Sequence, residues 1–305
     1  MDEVIMKTEN ICKYFGKKKI LENINLEIKR GCVYGLLGRN GCGKSTLIKI
    51  LLGLQTATRG KSFLFGYNSM DLPVKIKKKI GYMVEGHTFY NYMKIKDLQK
   101  IYKNLYSENW SDNDFKKTIE YFELDTTQKI KTLSKGQKAQ VNLALTLSYS
   151  PELLIMDDPT LGLDSAVRLE FLEQIIDIIQ NEGRTVFLTT HQLTEIERIA
   201  ERIGIILDSD LIVDSSVENL QTTVKKIKIS FSGNIPDFKA DTLSGILSLS
   251  TEENCMILTI ADFSNEKLEF LKKLKPEKIE VINLNLEEIF MEYTVKYRKM
   301  RILKK

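Results

Sequence analysis

The sequence predicts an α/β fold: a mostly parallel, buried sheet with helices around it, followed by a smaller α/β appendage. Three observations carry this reading. Short continuous apolar runs alternate with helical patterns, a glycine cluster sits between one such run and a helix, and the composition breaks near Val217 to Thr223.

A chain of 305 residues, 43% of them hydrophobic, can bury the core of one large domain and a smaller companion. Lys and Arg number 45 against 41 Asp and Glu, and the resulting net charge of +4 is too mild for a dedicated nucleic-acid binder. One basic concentration closes the chain, at Lys296, Arg298, Lys299, Arg301, Lys304 and Lys305. It reads as a solvated, frayed terminus, with acidic lipid headgroups or a partner's loops as the alternative. Cys12, Cys32, Cys42 and Cys255 are scattered, without a CxxC pair, and read as reduced thiols. The beginning of the chain shows no signal-peptide pattern, and no run approaches the roughly 18 apolar residues that cross a bilayer. A membrane role would therefore be borrowed from a partner.

From the start, Ile20 to Ile28 alternates apolar and polar residues as a strand does, and Val33 to Leu37 is a second strand leading into the glycine cluster. A helix is expected from Thr46 to Leu52. Residues from about 90 to 150 turn helical, with Leu98, Ile101, Tyr102 and Leu105 at spacings of three and four. Strands return at Leu153 to Met156 and Thr185 to Thr190, separated by a helix with Leu169, Leu172, Ile175, Ile176 and Ile179 on one face. Ile203 to Leu207 and Leu211 to Val213 add two more. These elements define a first domain, 1–220, with a helical subdomain at about 90–150. The second domain, 221–305, has strands at Ile227 to Phe231, Met256 to Ile260 and Lys278 to Leu284, and helices at Asn265 to Leu274 and Leu286 to Tyr297.

Gly38, Arg39, Asn40, Gly41, Cys42, Gly43, Lys44 and Ser45 spell GxxxxGKS, directly between a strand and a helix that opens with Thr46. That pattern resembles the phosphate-binding loop of the P-loop NTPases. Glycines let backbone N–H groups wrap the phosphates, and the helix N-terminus adds its positive dipole end. Lys44 is placed to reach the β and γ phosphates and Ser45 to bind Mg²⁺. Asp157, at the carboxyl end of a buried strand, supplies the carboxylate that a phosphate-bound metal needs.

Between these two elements, Leu133, Ser134, Lys135, Gly136 and Gln137 precede a helix. The order of motifs resembles the ATP-binding subunits of ABC transporters, whose signature reads LSGGQ; Lys135 stands at its third position. The resemblance covers roughly residues 4 to 215. It implies an ABC-type ATPase with a parallel-sheet core, an antiparallel β part and a helical subdomain. It further implies that Ser134, Gly136 and Gln137 face the ATP of a second subunit, so that the site is complete only in a homodimer or heterodimer. Leu161 to Asp164 resembles the loop that crosses the dimer interface, His191 occupies the γ-phosphate switch position, and Phe15 matches the aromatic that stacks on adenine, with Tyr14 or a core role as alternatives.

Two departures modify what the resemblance implies. Asp158 stands where the family has a catalytic glutamate, and its shorter side chain predicts slow hydrolysis. Glu85 stands where a glutamine usually binds Mg²⁺ and reports to the membrane subunit; it keeps an oxygen but adds a negative charge beside the triphosphate. With the phrase Asn285 to Phe290, Glu85 resembles the exporter branch that includes bacitracin and lantibiotic self-protection systems. The expectation is an ATP- and Mg²⁺-dependent, cytoplasmic ATPase docked on the inner face of the cell membrane against a separately encoded transmembrane permease. The runner-up is an ABC-type ATPase acting on ribosomes or nucleic acid. It is disfavoured by a single set of motifs and by a helical segment too short for a long coiled coil.

Overall fold

The computed structural model describes residues 3–84, 86, 89–239 and 242–303. Glu85, Lys304 and Lys305 lie outside them. The chain divides into two compact units at Val213/Asp214, seven residues before the 220/221 division expected from composition. The stretch read as a break is in fact a helix, Val217–Thr223, capped by Ser216, whose hydroxyl accepts from the Asn219 amide.

The first unit begins with β1 (Val4–Phe15), β2 (Lys18–Lys29) and β3 (Val33–Gly38), then α1 (Lys44–Leu51). Next come β4 (Arg59–Leu64), β5 (Tyr67–Asn68), α2 (Val74–Lys77) and β6 (Ile80–Met83). The helical segment holds α3 (Ile95–Leu105), α4 (Asp112–Tyr121) and α5 (Lys135–Leu147). After it follow β7 (Leu153–Asp157), α6 (Ser165–Glu182), β8 (Thr185–Thr190), α7 (Leu193–Ile199), β9 (Arg202–Leu207) and β10 (Asp210–Ser216), the last crossing into the second unit.

Among the described residues the sheet order is β5-β4-β1-β2-β10-β9-β3-β8-β7-β6. The stretch from β9 to β6 is parallel, whereas β1 pairs antiparallel with both β2 and β4. Parallel strands covered on both faces read as unbroken apolar runs, and β3, β7 and β8 are buried at every position. Their register sets the site: Leu37 lies opposite Thr190, and Thr189 opposite Asp157. The carboxyl ends of β3, β7 and β8 therefore meet at one edge, and the chemistry-bearing residues follow those ends.

Two periodic faces are less buried than their spacing indicated. In α3 Leu98 is buried while Ile101 and Leu105 are exposed, and in α6 Leu172 and Ile175 are buried while Leu169 is exposed. Hydrophobic spacing locates the inward stripe but not its width.

The second unit comprises α8 (Val217–Thr223), β11 (Lys225–Ser230), β12 (Ile246–Glu252), β13 (Cys255–Ile260), α9 (Asn265–Lys272), β14 (Lys278–Asn283) and α10 (Leu286–Leu303). Its sheet runs β12-β13-β11-β14, and among the described residues its strands pair antiparallel. Ile227, Ile229, Met256, Leu258, Ile260 and Leu271 form its core. β12 has no counterpart in the expected strands: its serines interrupt the apolar pattern, and it is half exposed.

Within the first core, Tyr34 of β3 stacks on Phe187 of β8 with ring centroids 5.7 Å apart and planes 14° apart, both rings fully buried. Phe187→Ala is expected to destabilise this unit by about 3–5 kcal/mol, read as a lower urea midpoint.

Candidate functional site

β3 ends at Gly38 and α1 begins at Lys44, two residues earlier than the apolar pattern indicated, so that Lys44 and Ser45 belong to the helix's own first turn. The intervening loop needs left-handed backbone: φ is +78° at Gly41 and +111° at Gly43. A Cβ on Gly43 would lie 2.6 Å from Leu21 Cδ2 and 2.7 Å from the Ile20 carbonyl oxygen, so both conformation and space demand glycine there. No side chain caps α1. Its first amides are thus available to an anion held in the loop.

Lys44 is buried, and its Nζ donates to the Gly38 carbonyl at 2.8 Å. Ser45 Oγ donates to Asp157 Oδ1 at 3.1 Å, and Thr189 Oγ1 donates to the same oxygen at 2.8 Å. Asp158, also buried, sits at φ +47°, and its amide donates to the carbonyl of Thr189 at 3.1 Å. His191 Nδ1 lies 3.1 and 3.2 Å from the two Asp158 carboxylate oxygens. An ionised carboxylate only accepts, so in this contact Nδ1 carries the proton.

A cleft of about 450 Å³ opens over Lys44, Ser45 and Asp158, while Asp157, Thr189 and His191 stand behind its lining. Asn40, Gly41, Gly43, Lys44, Ser45 and Thr46 form its floor, with Asp158 and Leu161 on one side and Lys18 and Ile20 of β2 on another. Cys42 does not line it: its Sγ packs beside Gly38, 2.4 Å from where a Cβ would sit, and burial pushes the thiol's pKa up. Phe15 closes β1 outside this lining. Its ring is 51% exposed, with Lys13 Nζ 5.1 Å from the centroid. Tyr14, the alternative stacking residue, is engaged elsewhere: its hydroxyl donates to the Glu22 carboxylate and accepts from Arg59 Nη2 at 3.3 Å. The freely presented aromatic is Phe15.

Ser134, Gly136 and Gln137 lie apart from the cleft lining and build the start of α5. Ser134 Oγ accepts from the Gln137 amide at 3.1 Å, and Gln137 Oε1 accepts from the Ser134 amide at 3.0 Å, a reciprocal capping box. A Cβ on Gly136 would meet Val167 Cγ1 at 2.7 Å, which explains the glycine by packing. Lys135 reaches over Gly162, its Nζ 3.6 Å from a Cβ built there. The signature segment and the Leu161–Asp164 loop are thus neighbours within one chain. Lys18 and Ile20 of the cleft lining, and Thr189 on Asp157, were passed over by motif reading, whereas Leu161 belongs to the loop it assigned to the dimer interface. Thr189 alone carried a signal, standing on β8 two residues before His191, which follows the strand's end.

The profile of the ABC transporter family matches residues 21–161. The lantibiotic transport ATP-binding protein SrtF of Streptococcus pyogenes is 34% identical over 71% of this chain and 94% of its own length. The bacitracin transport ATP-binding protein BcrA of Bacillus licheniformis is 32% identical over 73% of each chain. Among solved structures, the dimeric structure of a bacterial ABC transporter cassette superposes with a TM-score of 0.62 at 25% identity, covering 70% of this chain and 98% of that one.

Phe15→Ala is expected to lower affinity for a fluorescent ATP analogue several-fold, whereas Tyr14→Phe leaves it within about twofold. Equal losses in both would return Tyr14 to the stacking role.

Proposed function

This chain belongs to the ATP-binding proteins of the ABC transporter family, and on that premise we propose that it closes as a dimer over ATP held between Lys44 and Asp158, and drives export through a separately encoded transmembrane permease. The observation that carries the reading is the convergence of Lys44, Ser45, Asp157, Asp158 and His191 at the ends of three adjacent parallel strands.

Lys44 and the amides of the loop bind the triphosphate, and the exposed Phe15 stacks on the base. Ser45 Oγ and the Asp157 carboxylate, 3.1 Å apart, are the hard oxygen donors that suit Mg²⁺ alongside phosphate. When bound, Mg²⁺ neutralises charge on the phosphate oxygens. Asp158 orients the attacking water as general base, and His191, fixed by the Nδ1 contact, directs Nε2 toward the γ-phosphate. Ser134 and the amides at the start of α5 complete the far side of the nucleotide in the partner copy. Glu85 is assigned to the metal by its place in the motif order alone.

Among the described residues no helix is long and apolar enough to cross a membrane, which fits a subunit docked peripherally on the inner face of the cell membrane. The names of SrtF and BcrA support a peptide antibiotic as the exported class, chosen by the permease, and disfavour a ribosome or nucleic-acid target.

Lys44→Ala is expected to weaken MgATP binding by about 100-fold or more in titration calorimetry; parental affinity would overturn the site. Asp158→Asn is expected to lower kcat by about 10² to 10⁴ with ATP affinity retained, and to trap an ATP-loaded dimer. Asp158→Glu is expected to raise turnover, because the longer side chain carries the carboxylate further into the cleft. An unchanged or lower rate would show that reach is not limiting.

A further inference from the structure

β8 ends in two consecutive threonines, and strand alternation sends them to different carboxylates. Thr189 serves Asp157, whereas Thr190 Oγ1 donates to Glu195 Oε2 at 3.0 Å. Glu195, in the first turn of α7, is 2% exposed and also accepts from Thr160 Oγ1 at 2.8 and 2.9 Å. Burial pushes its pKa up; the two hydroxyls and the Arg168 charge oppose that push, and the Asp158 charge adds to it. Arg168 of α6 lies alongside with Nε 3.4 Å from Glu195 Oε1. Its Nη2 donates to the Leu163 carbonyl at 3.0 Å and its Nη1 to Gln192 Oε1 at 2.5 Å.

The four anchor points have a pattern. Thr160 and Leu163 lie on the loop that follows Asp158, and Thr190 and Gln192 flank His191 on both sides. Neither Glu195 nor Arg168 lines the cleft. Glu195 is buried and the Arg168 side chain 27% exposed, and an ion pair in such a place is a weak source of stability, since well-packed apolar side chains serve as well or better. What apolar side chains would not supply is a directional tie between two loops.

We propose that Glu195 and Arg168 are positioning residues that hold the His191 imidazole against the Asp158 carboxylate by bracing the two loops that carry them. The inference rests on Asp158 and His191 acting together on ATP. The Arg168 Nε–H is buried and makes no hydrogen bond at 3.4 Å. A closer approach of the two loops by a few tenths of an ångström completes a charge-assisted bond there, so the brace tightens as the site does.

The test uses the full chain and three variants, Glu195→Gln, Arg168→Met and their combination, with ATPase rate, MgATP affinity and thermal unfolding measured for each. Each single change is expected to lower kcat by about tenfold or more with Kd within about twofold, because Lys44 and Ser45 are untouched. The double variant should lose little beyond the worse single one, as members of one unit do. The chain has two histidines, so His87→Gln leaves His191 as the sole imidazole for ¹⁵N NMR. Its ring signals should move in Glu195→Gln. Thr160→Val, which removes one arm and no charge, should move them in the same direction with a smaller loss of kcat, and it keeps the test valid if a charge variant misfolds. Unchanged kcat, multiplying losses in the double variant, or a fall in kcat with the His191 signals unmoved would each overturn the brace. Intact turnover in Asp158→Asn would instead overturn the reading beneath it.

Discussion

Asp157 is almost wholly buried, and a charged carboxylate stays in such a place only when its oxygens are hydrogen-bonded. Ser45 and Thr189 supply those bonds and thereby tie α1 and β8 to β7. The position of the phosphate loop relative to the sheet edge is consequently not free. Ser45 reaches Asp157 only because α1 starts at Lys44, and α1 starts there only because Gly43 turns the chain through a conformation closed to other residues. The carboxylate, the hydroxyl and the glycine form one chain of necessity.

The same strand that secures Asp157 also sets up the opposite side. β8 delivers Thr189 to one carboxylate and Thr190 to another, and then ends at once in His191. A strand cannot alter this division without a slip of register, and a one-residue slip would turn each threonine to the opposite face. Rigidity at the strand end is therefore handed to the loops by hydrogen bonds to side chains, which is how residues outside regular structure keep fixed distances.

Much of this was legible in the sequence where residue type is forced by chemistry. GxxxxGKS, the aspartate after an apolar strand, and His191 were placed by motif order, and the geometry brings Lys44, Ser45, Asp157, Asp158 and His191 together. What escaped depends on tertiary register. Glu195 and Arg168 look in sequence like ordinary surface charges of amphipathic helices, and only folding puts them side by side beneath two loops. Tyr14 and Phe15 are adjacent and equally aromatic, and only folding shows that Glu22 and Arg59 engage the Tyr14 hydroxyl. β12 was missed because serines dilute its apolar face, and the helix at Val217–Thr223 because short polar helices depend on their cap more than on periodicity.

Asp158 brings these constraints to one residue. Its backbone is left-handed at φ +47°, a conformation aspartate adopts more readily than glutamate because its short side chain bonds locally. Its carboxylate is already engaged by His191 at 3.1 Å. A longer side chain would gain reach toward the cleft but leave that contact unless the loop moved, and Thr160 and Leu163 fasten the loop to Glu195 and Arg168. Reach and anchorage are thus opposed. A chain with aspartate at this position keeps the His191 contact and a left-handed backbone that aspartate tolerates, and its side chain ends about one C–C bond shorter than a glutamate's would.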